Sequence, residues 1–369
     1  MSTVRVAMVS TRYPPYLGGV ETHVHEVARR MASRGLEVTV LTADLTGELP
    51  STERDGELTV RRFGAWPKHS DLYIAPALVR HVSRGGYDLV HVQGANTFLP
   101  PAVLIAAQHA GTPTVATFHT GGHSSPVRRM VRGAQWRSLR PLLRKANGLV
   151  AVCQFEVDVF ARRLGVEPSR IRLIRNGAEP LPVGTSAPKI SGSPLVCSVA
   201  RLERYKGHQR LIAAMPPLLE LAPDAHLAVI GRGSYEQHLR RLAAQLGVGH
   251  AVSFTSFDAT EREALGTLLQ SSDVMALMSD YEANPVAVME ALALGRKVLV
   301  ADTSGLSELA VEGLATAVAP EIAPEELARV LVRVAAAPES PPVKLPNWDD
   351  CAAQLLGLYD EILSSRPRP

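Results

Sequence analysis

The chain has 369 residues, 46% of them hydrophobic and 20% charged, with a formal net charge of +3. This is the size of two ordinary globular domains, and the small charge argues against a nucleic-acid partner. No apolar run is long enough to span a bilayer and no signal peptide precedes "VRVAMVS". The three scattered cysteines, Cys153, Cys197 and Cys351, form no CxxC, so a cytoplasmic protein without disulfide framework or zinc site is expected.

Short β-rich runs alternate with helical segments from the start. In the first half the strands read Val4–Ser10, Glu37–Thr42, Leu58–Phe63, Leu89–Gln93, Thr114–His119, Leu149–Cys153 and Arg172–Ile174. Runs such as "RVAMVS" and "EVTVLT" have the near-continuous apolar character of buried parallel strands. Between them Val20, Val24, Val27, Ala28 and Met31 repeat at helical spacing, and Gly35 ends the helix. From Leu89 to Phe155 there is no Asp or Glu, while Arg128, Arg129, Arg132, Arg137, Arg140, Arg144 and Lys145 all fall in that span. A solvated basic helix is the plain reading. The alternative is a surface over residues 128–145 for anionic lipid or a phosphorylated acceptor.

Residues 179–194, "EPLPVGTSAPKISGSP", read as a linker. The alternation then restarts, with strands at Leu195–Ala200, His226–Ile230, Val252–Thr255, Val274–Met278, Val298–Ala301 and Thr316–Val318. Two βα repeats of similar size point to two doubly wound parallel sheets, with ligands expected in a cleft at the carboxyl ends of the strands. The last segment, "NWDDCAAQLLGLYDEIL", is one amphipathic helix with Trp348, Leu355, Leu358 and Ile362 on its buried side.

The connections carry the candidate chemistry. "STRYPPYLGGVETH" brings Gly18–Gly19 to the first helix, where close approach by a ligand is allowed. It is not GxGxxG, which disfavours a nicotinamide or flavin, and alone it is a tight turn. His119 closes the strand "TVATFH". Neither His119–His123 nor His23–His25 has metal-pair geometry, and HExxH, DxD and GxSxG sequences are all absent. In "ARLERYKGHQRLI", Arg201 and Lys206 follow a strand and suit a diphosphate, or are surface charge. "VIGRGSYEQHL" places Gly231 and Gly233 in another strand-end loop. In "YEANPVAVMEALALG", Asn284 is a good N-cap and Pro285 a good first helical residue. A helix starting at Pro285 puts Glu282 in the loop before it and Glu290 on its second turn. Val286, Met289, Ala293 and Leu294 form its buried face, Gly295 its end, and the amides of Ala287 and Val288 free donors. On spacing alone Glu290 reads most simply as a solvent-facing helix acid.

The order "GGVE", "FHT", "RNGAE", "ARLERYKG", "IGRG" and "EANPVAVME" resembles the retaining nucleotide-sugar glycosyltransferases of family 4 over nearly the whole chain. The resemblance implies an α/β GT-B fold: two facing Rossmann-like doubly wound parallel-sheet domains with a cleft between them. It places an acceptor-binding domain at 1–185, a nucleotide-sugar-binding domain at 186–345, and a terminal helix at 346–369 crossing back to the first domain. It implies transfer of a hexosyl or N-acetylhexosaminyl group from a UDP- or GDP-linked donor to a small-molecule, glycan or lipid-linked acceptor hydroxyl, forming an α-linkage. No cofactor and no metal are expected.

By the same resemblance, Glu290 bonds the nucleotide ribose and Glu282 lies by the donor sugar, with Ala283, Asn284, Pro285 and Val286 around sugar or phosphate. Arg201 and Lys206 hold the diphosphate, Gly19 and Gly231 line the donor, and His119 serves binding and catalysis. The leaving phosphate assists deprotonation of the acceptor, so no carboxylate need be the nucleophile. Tyr16, Trp66, His69 and Tyr73 are candidate acceptor contacts, although a loop aromatic is as often packing. Ala283 and Asn284 depart from the family's usual Gly and bulky or hydroxyl residue, and Cys153–Gln154 from its usual Ser. Rival readings are a non-catalytic nucleotide-sugar-binding protein of the same fold and a nucleotide-sugar epimerase. The intact set Glu282, Glu290, Arg201, Lys206 and His119 argues against the first.

Overall fold

The computed structural model describes residues 3–16, 18–68, 73–95, 97–119, 126–185, 190–338 and 345–365, the side chains of 126–134 excepted. The chain divides into two units, one of Met1–Thr120, Val127–Gly177 and Pro346–Pro369, the other built from Ala178–Leu345.

In the first unit the strands are β1 (Arg5–Ser10), β2 (Glu37–Asp44), β3 (Thr52–Asp55), β4 (Leu58–Gly64), β5 (Leu89–Gln93), β6 (Thr114–Phe118), β7 (Gly148–Ala151) and β8 (Ile171–Leu173). Their order in the sheet is β3-β4-β2-β1-β5-β6-β7-β8. Every pairing is parallel except β3 with β4. Helices α1 (Gly19–Ser33), α2 (Pro76–Ser83), α3 (Leu99–His109), α4 (Pro126–Arg144) and α5 (Gln154–Leu164) join them. The chain builds outward from β1 through β2 to β4, then returns to place β5 on β1's other side. That reversal leaves a crevice outside the carboxyl ends of β1 and β5, the usual ligand position in an open α/β sheet.

β5 shows how the sheet separates its two faces. Val90 and Val92 enter a core with Phe118, Leu99 and Phe160. Alternate residues of a strand point oppositely, so His91 and Gln93 occupy the other face. Both are buried there. That face is completed by the chain's last helix, α12 (Trp348–Ser364). Asn347 caps α12 in a reciprocal box with Asp350, and Trp348, Leu355, Leu358, Tyr359 and Ile362 are buried. Asp349 at its start meets Arg30 of α1 at 3.4 Å and Arg34, the residue just after α1, at 2.8 Å. Gly177 passes so close that a Cβ there would stand 2.4 Å from the amide nitrogen of Trp348, which requires glycine.

In the second unit the strands are β9 (Leu195–Val199), β10 (His226–Ile230), β11 (Val252–Thr255), β12 (Val274–Leu277), β13 (Lys297–Ala301) and β14 (Thr316–Val318). The helices are α6 (His208–Leu221), α7 (Glu236–Gln245), α8 (Arg262–Gln270), α9 (Val286–Ala293), α10 (Ser304–Val311) and α11 (Pro324–Ala336). The all-parallel order β11-β10-β9-β12-β13-β14 is the 3-2-1-4-5-6 winding of dinucleotide-binding domains. Apolar clusters cover both faces, one with Leu211, Met215 and Leu331, the other with Leu268, Val288 and Met289. Part of the expected linker is docked on this unit: Thr267 donates to the Gly184 carbonyl at 2.9 Å and accepts its amide at 2.8 Å.

Candidate active site

β9 and β12 are neighbours across the reversal of strand order, and the loops leaving their carboxyl ends hold the acids and bases singled out above. A turn of 3-10 helix, Arg204–Lys206, follows β9. Lys206 donates to Glu282 Oε1 at 2.5 Å, with only 13% of the lysine side chain and 8% of the glutamate exposed. Ser279 donates to the same oxygen at 2.8 Å, and Ser304 accepts the Glu282 amide at 2.8 Å. The loops are stitched further by the Asp280 amide on the Tyr205 carbonyl at 2.7 Å. Arg210 donates to the Met278 carbonyl and to Asp280, both at 2.6 Å. Arg201 donates to the Tyr205 hydroxyl at 3.0 Å, and Lys206 stands 5.2 Å from the same ring's centre. Tyr205 is thus the platform between the two cations. Desolvation makes a buried pair of this kind costly to form, and removing one partner strands the other.

Glu290 is not the solvent-facing acid that spacing favours. It is buried, and Arg262 of α8 donates to its Oε1 at 2.5 Å. Nothing in the sequence marks Arg262, which lies just after a loop capped by Asp258 and Glu261. The helix start also differs. α9 begins at Val286, with extended Pro285 as the capping residue. The Pro285 carbonyl accepts from Val288 at 3.1 Å and Met289 at 3.2 Å, so the Val288 amide is not a free donor. The first-turn donors are Val286 and Ala287. Ala283 and Asn284 are buried beside Glu282, and Ala293 and Leu294 are partly buried. Gly231, at φ +147, lies so close to the loop after β9 that a Cβ would fall 2.0 Å from the Ala200 carbonyl oxygen. Its visible role is to let two strand-end loops touch.

In the first unit His119 follows β6 directly and sits at the end of a buried polar chain. Its Nε2 is 2.8 Å from Gln93 Oε1. The Gln93 amide nitrogen is 3.3 Å from His91 Nε2, which is also 2.6 Å from Thr117 Oγ1. His91 Nδ1 lies 2.5 Å from the Tyr359 hydroxyl of α12. His23 of α1 meets His119 edge to face at 4.7 Å, and its Nδ1 donates to Asn176 at 2.9 Å. Burial disfavours the imidazolium in all three. The pKa of His23 falls to about 4 and that of His91 to about 3, and His119 is held well below the ordinary histidine value, with neighbouring histidines adding to the effect. His91 and Gln93 were not singled out in the sequence, because alternation in a buried strand does not distinguish a network from packing, and His23 was considered only as half of a metal pair.

The acceptor candidates separate. Trp66 is 72% exposed, whereas Tyr73 is 2% exposed and donates its hydroxyl to the Thr11 carbonyl. Tyr73 therefore packs and presents no face to a sugar. Tyr16 and Gly19 lie at the carboxyl end of β1, and Gly19 is the first residue of α1. His69 lies outside the described residues, as do the side chains of Arg128, Arg129 and Arg132. Arg137, Arg140, Arg144 and Lys145 are exposed. Among the described residues no three His, Cys, Asp or Glu side chains are grouped to hold a metal ion, and no helix is long and apolar enough to cross a membrane.

Comparison with known proteins agrees with this arrangement. Residues 17–180 match the model of Glycosyltransferase Family 4, and residues 186–342 that of Glycosyl transferases group 1. Phosphatidyl-myo-inositol mannosyltransferase of Mycolicibacterium smegmatis is 28% identical, over 97% of this chain and 94% of its own. Sucrose-phosphate synthase from Thermosynechococcus elongatus superposes with a TM-score of 0.78 at 21% identity, covering 98% of this chain and 100% of that one. Anabaena HepE, solved in complex with UDP and glucose, gives 0.70 at 21% identity, over 98% and 99%. With strand orders of the doubly wound type in both units and family models matched across both, the chain belongs to the family 4 glycosyltransferases and has the GT-B fold.

Proposed function

We propose that the protein moves a sugar from a nucleoside diphosphate donor to an acceptor hydroxyl with retention, giving an α-glycoside, and that the second unit binds the donor. The observation that carries this reading is the buried Lys206–Glu282 pair beside Arg201 at the β9–β12 reversal. A diphosphate entering there meets two fixed cations, and Glu282 is freed to accept from sugar hydroxyls as Lys206 turns to phosphate. The cations then stabilise the charge that grows on the leaving group. Because that charge is met by side chains, a divalent ion is not required. Glu290, held by Arg262, is assigned to the ribose hydroxyls, and His119 of the first unit to a hydroxyl of the transferred sugar. The solved relative with UDP and glucose supports a sugar nucleotide of the UDP class, and the mannosyltransferase relative supports a hexosyl group as the unit transferred. Three buried free cysteines fit a reducing cytoplasm.

The test is a panel of UDP- and GDP-linked sugars, followed by NMR of the product. Release of nucleoside diphosphate with an α-configured glycoside supports the reading, and a β-configured product refutes retention. Binding to anionic vesicles at low salt, lost on reversing Arg128, Arg129 and Arg132 to Glu, would assign the basic segment to a membrane and the acceptor to lipid.

A further inference from the structure

The chain from α12 to His119 has a defined hydrogen-bonding sense. The oxygen of Gln93 that faces His119 Nε2 at 2.8 Å can only accept, so Nε2 carries the proton. The other end of the same amide is a nitrogen that can only donate, so His91 Nε2, 3.3 Å away, accepts, and the Thr117 hydroxyl 2.6 Å from the same Nε2 points its proton there too. His91 then has its proton on Nδ1 and gives it to the Tyr359 hydroxyl. Gln93 is the buried last residue of β5, paired with Thr117 of β6, with one amide end on each histidine. Turning the amide over would reverse both tautomers together, so the two rings are coupled.

We propose that Gln93, His91 and Tyr359 are positioning residues that fix the proton of His119 on Nε2, so that the last helix of the chain sets which way the sugar-facing histidine hydrogen-bonds. The consequence is that Nδ1 of His119 is the accepting nitrogen, so whatever group hydrogen-bonds to it must donate. The rings stay uncharged because burial holds both below the ordinary histidine value. Among the described residues the titratable groups facing His119 are His23 from α1 and His91 from β5. His23 Nδ1 donates to the Asn176 oxygen, so it does not compete for the Gln93 amide.

The role of His119 at the sugar rests on the proposed function, but the tautomer pattern does not. Long-range proton–nitrogen NMR of histidine-labelled protein reads it directly. The expected wild-type pattern is His119 protonated on Nε2 and His91 on Nδ1. Gln93→Glu is isosteric, and in its ionised form it offers two acceptors, so at a pH where that carboxyl is ionised the proton of His91 should move to Nε2 while that of His119 stays. Gln93→Leu should mix the His119 tautomers and lower kcat by roughly 10–100-fold with little change in KM. Tyr359→Phe should mix the His91 tautomers. If Gln93→Leu does not fold, Gln93→Glu still decides the matter. A wild-type His119 protonated on Nδ1, or a His91 unmoved in Gln93→Glu at a pH where the carboxyl signal shows it ionised, overturns the proposal. Folded Gln93→Leu with wild-type kcat overturns it too, provided His119→Ala is inactive. Full activity in His119→Ala instead removes His119 from the sugar and leaves the tautomer pattern to stand or fall by NMR.

Discussion

Beneath the first sheet, His23, His91 and His119 are held by neutral partners: an asparagine, a glutamine, a threonine and a tyrosine. At the end of the second sheet, the two buried acids are held by cations, Glu282 by Lys206 and Glu290 by Arg262. Both solutions satisfy groups that would be costly to bury alone. They differ in what a ligand can do to them. A neutral network holds direction and has little to exchange. An ion pair beside a crevice has a charge on each side, and an arriving diphosphate or hydroxyl can replace either partner.

The contrast makes Lys206→Ala the most damaging single change. Breaking a buried pair leaves Glu282 uncompensated, at about 3–5 kcal/mol of stability. Loss of the cation from the growing phosphate charge should remove about 2.7–4 kcal/mol of transition-state stabilisation as well. The double variant Lys206→Met with Glu282→Gln should regain most of the stability and none of the turnover. Denaturant unfolding and steady-state kinetics on the same samples separate the two effects. Recovery of turnover in the double variant would show that the pair is only structural.

Glu290→Ala should weaken donor binding by roughly 1.5–3 kcal/mol, the scale of one charge-assisted hydrogen bond, as measured by calorimetry. Unchanged affinity would return Glu290 to a purely structural role with Arg262.

The neutral cluster predicts acid sensitivity. The pKa of His23 is lowered from 6.5 to about 4 and that of His91 from 6.5 to about 3. Between those values the unfolded chain binds protons that the folded chain does not, so stability is complete above pH 6.5 and falls as the pH drops toward the folded values. Each histidine contributes a slope of up to about 1.4 kcal/mol per pH unit. Urea unfolding of His91→Gln should show a shallower fall over this window than the wild type, and an unchanged slope would contradict the assignment. The smallest expected effect is that of EDTA. Transfer should continue at nearly the full rate, and loss of activity restored by one divalent metal would place an ion among the cations of the second unit.

The regular part of this architecture was legible because its strands are buried on both faces. "RVAMVS" and "HLAVI" announce themselves, and parallel strands built this way leave little ambiguity. β3, "TERD", was missed because an exposed antiparallel edge strand has no apolar pattern. The loop acids were legible through the motif around Pro285. The partners that define them, Arg262 and Ser279, come from elsewhere in the chain, and no local spacing reveals a contact between Arg262 and Glu290. The start of α9 differed by one residue because Pro285 is extended and lends its carbonyl to Val288 and Met289. Tyr73 illustrates the opposite error, since an aromatic in a polar loop proved to be packing.

The donor site on the second unit is tested most directly by calorimetric titration of UDP- and GDP-linked sugars, in EDTA, into the wild type and the Lys206→Met, Glu282→Gln double variant. One nucleotide sugar should bind the wild type far more tightly than its nucleoside does, and that diphosphate-dependent gain should vanish in the variant. A nucleoside that binds as tightly as the full donor, or a variant that binds the donor as the wild type does, would contradict the assignment of Lys206 and Glu282 to the diphosphate and its sugar.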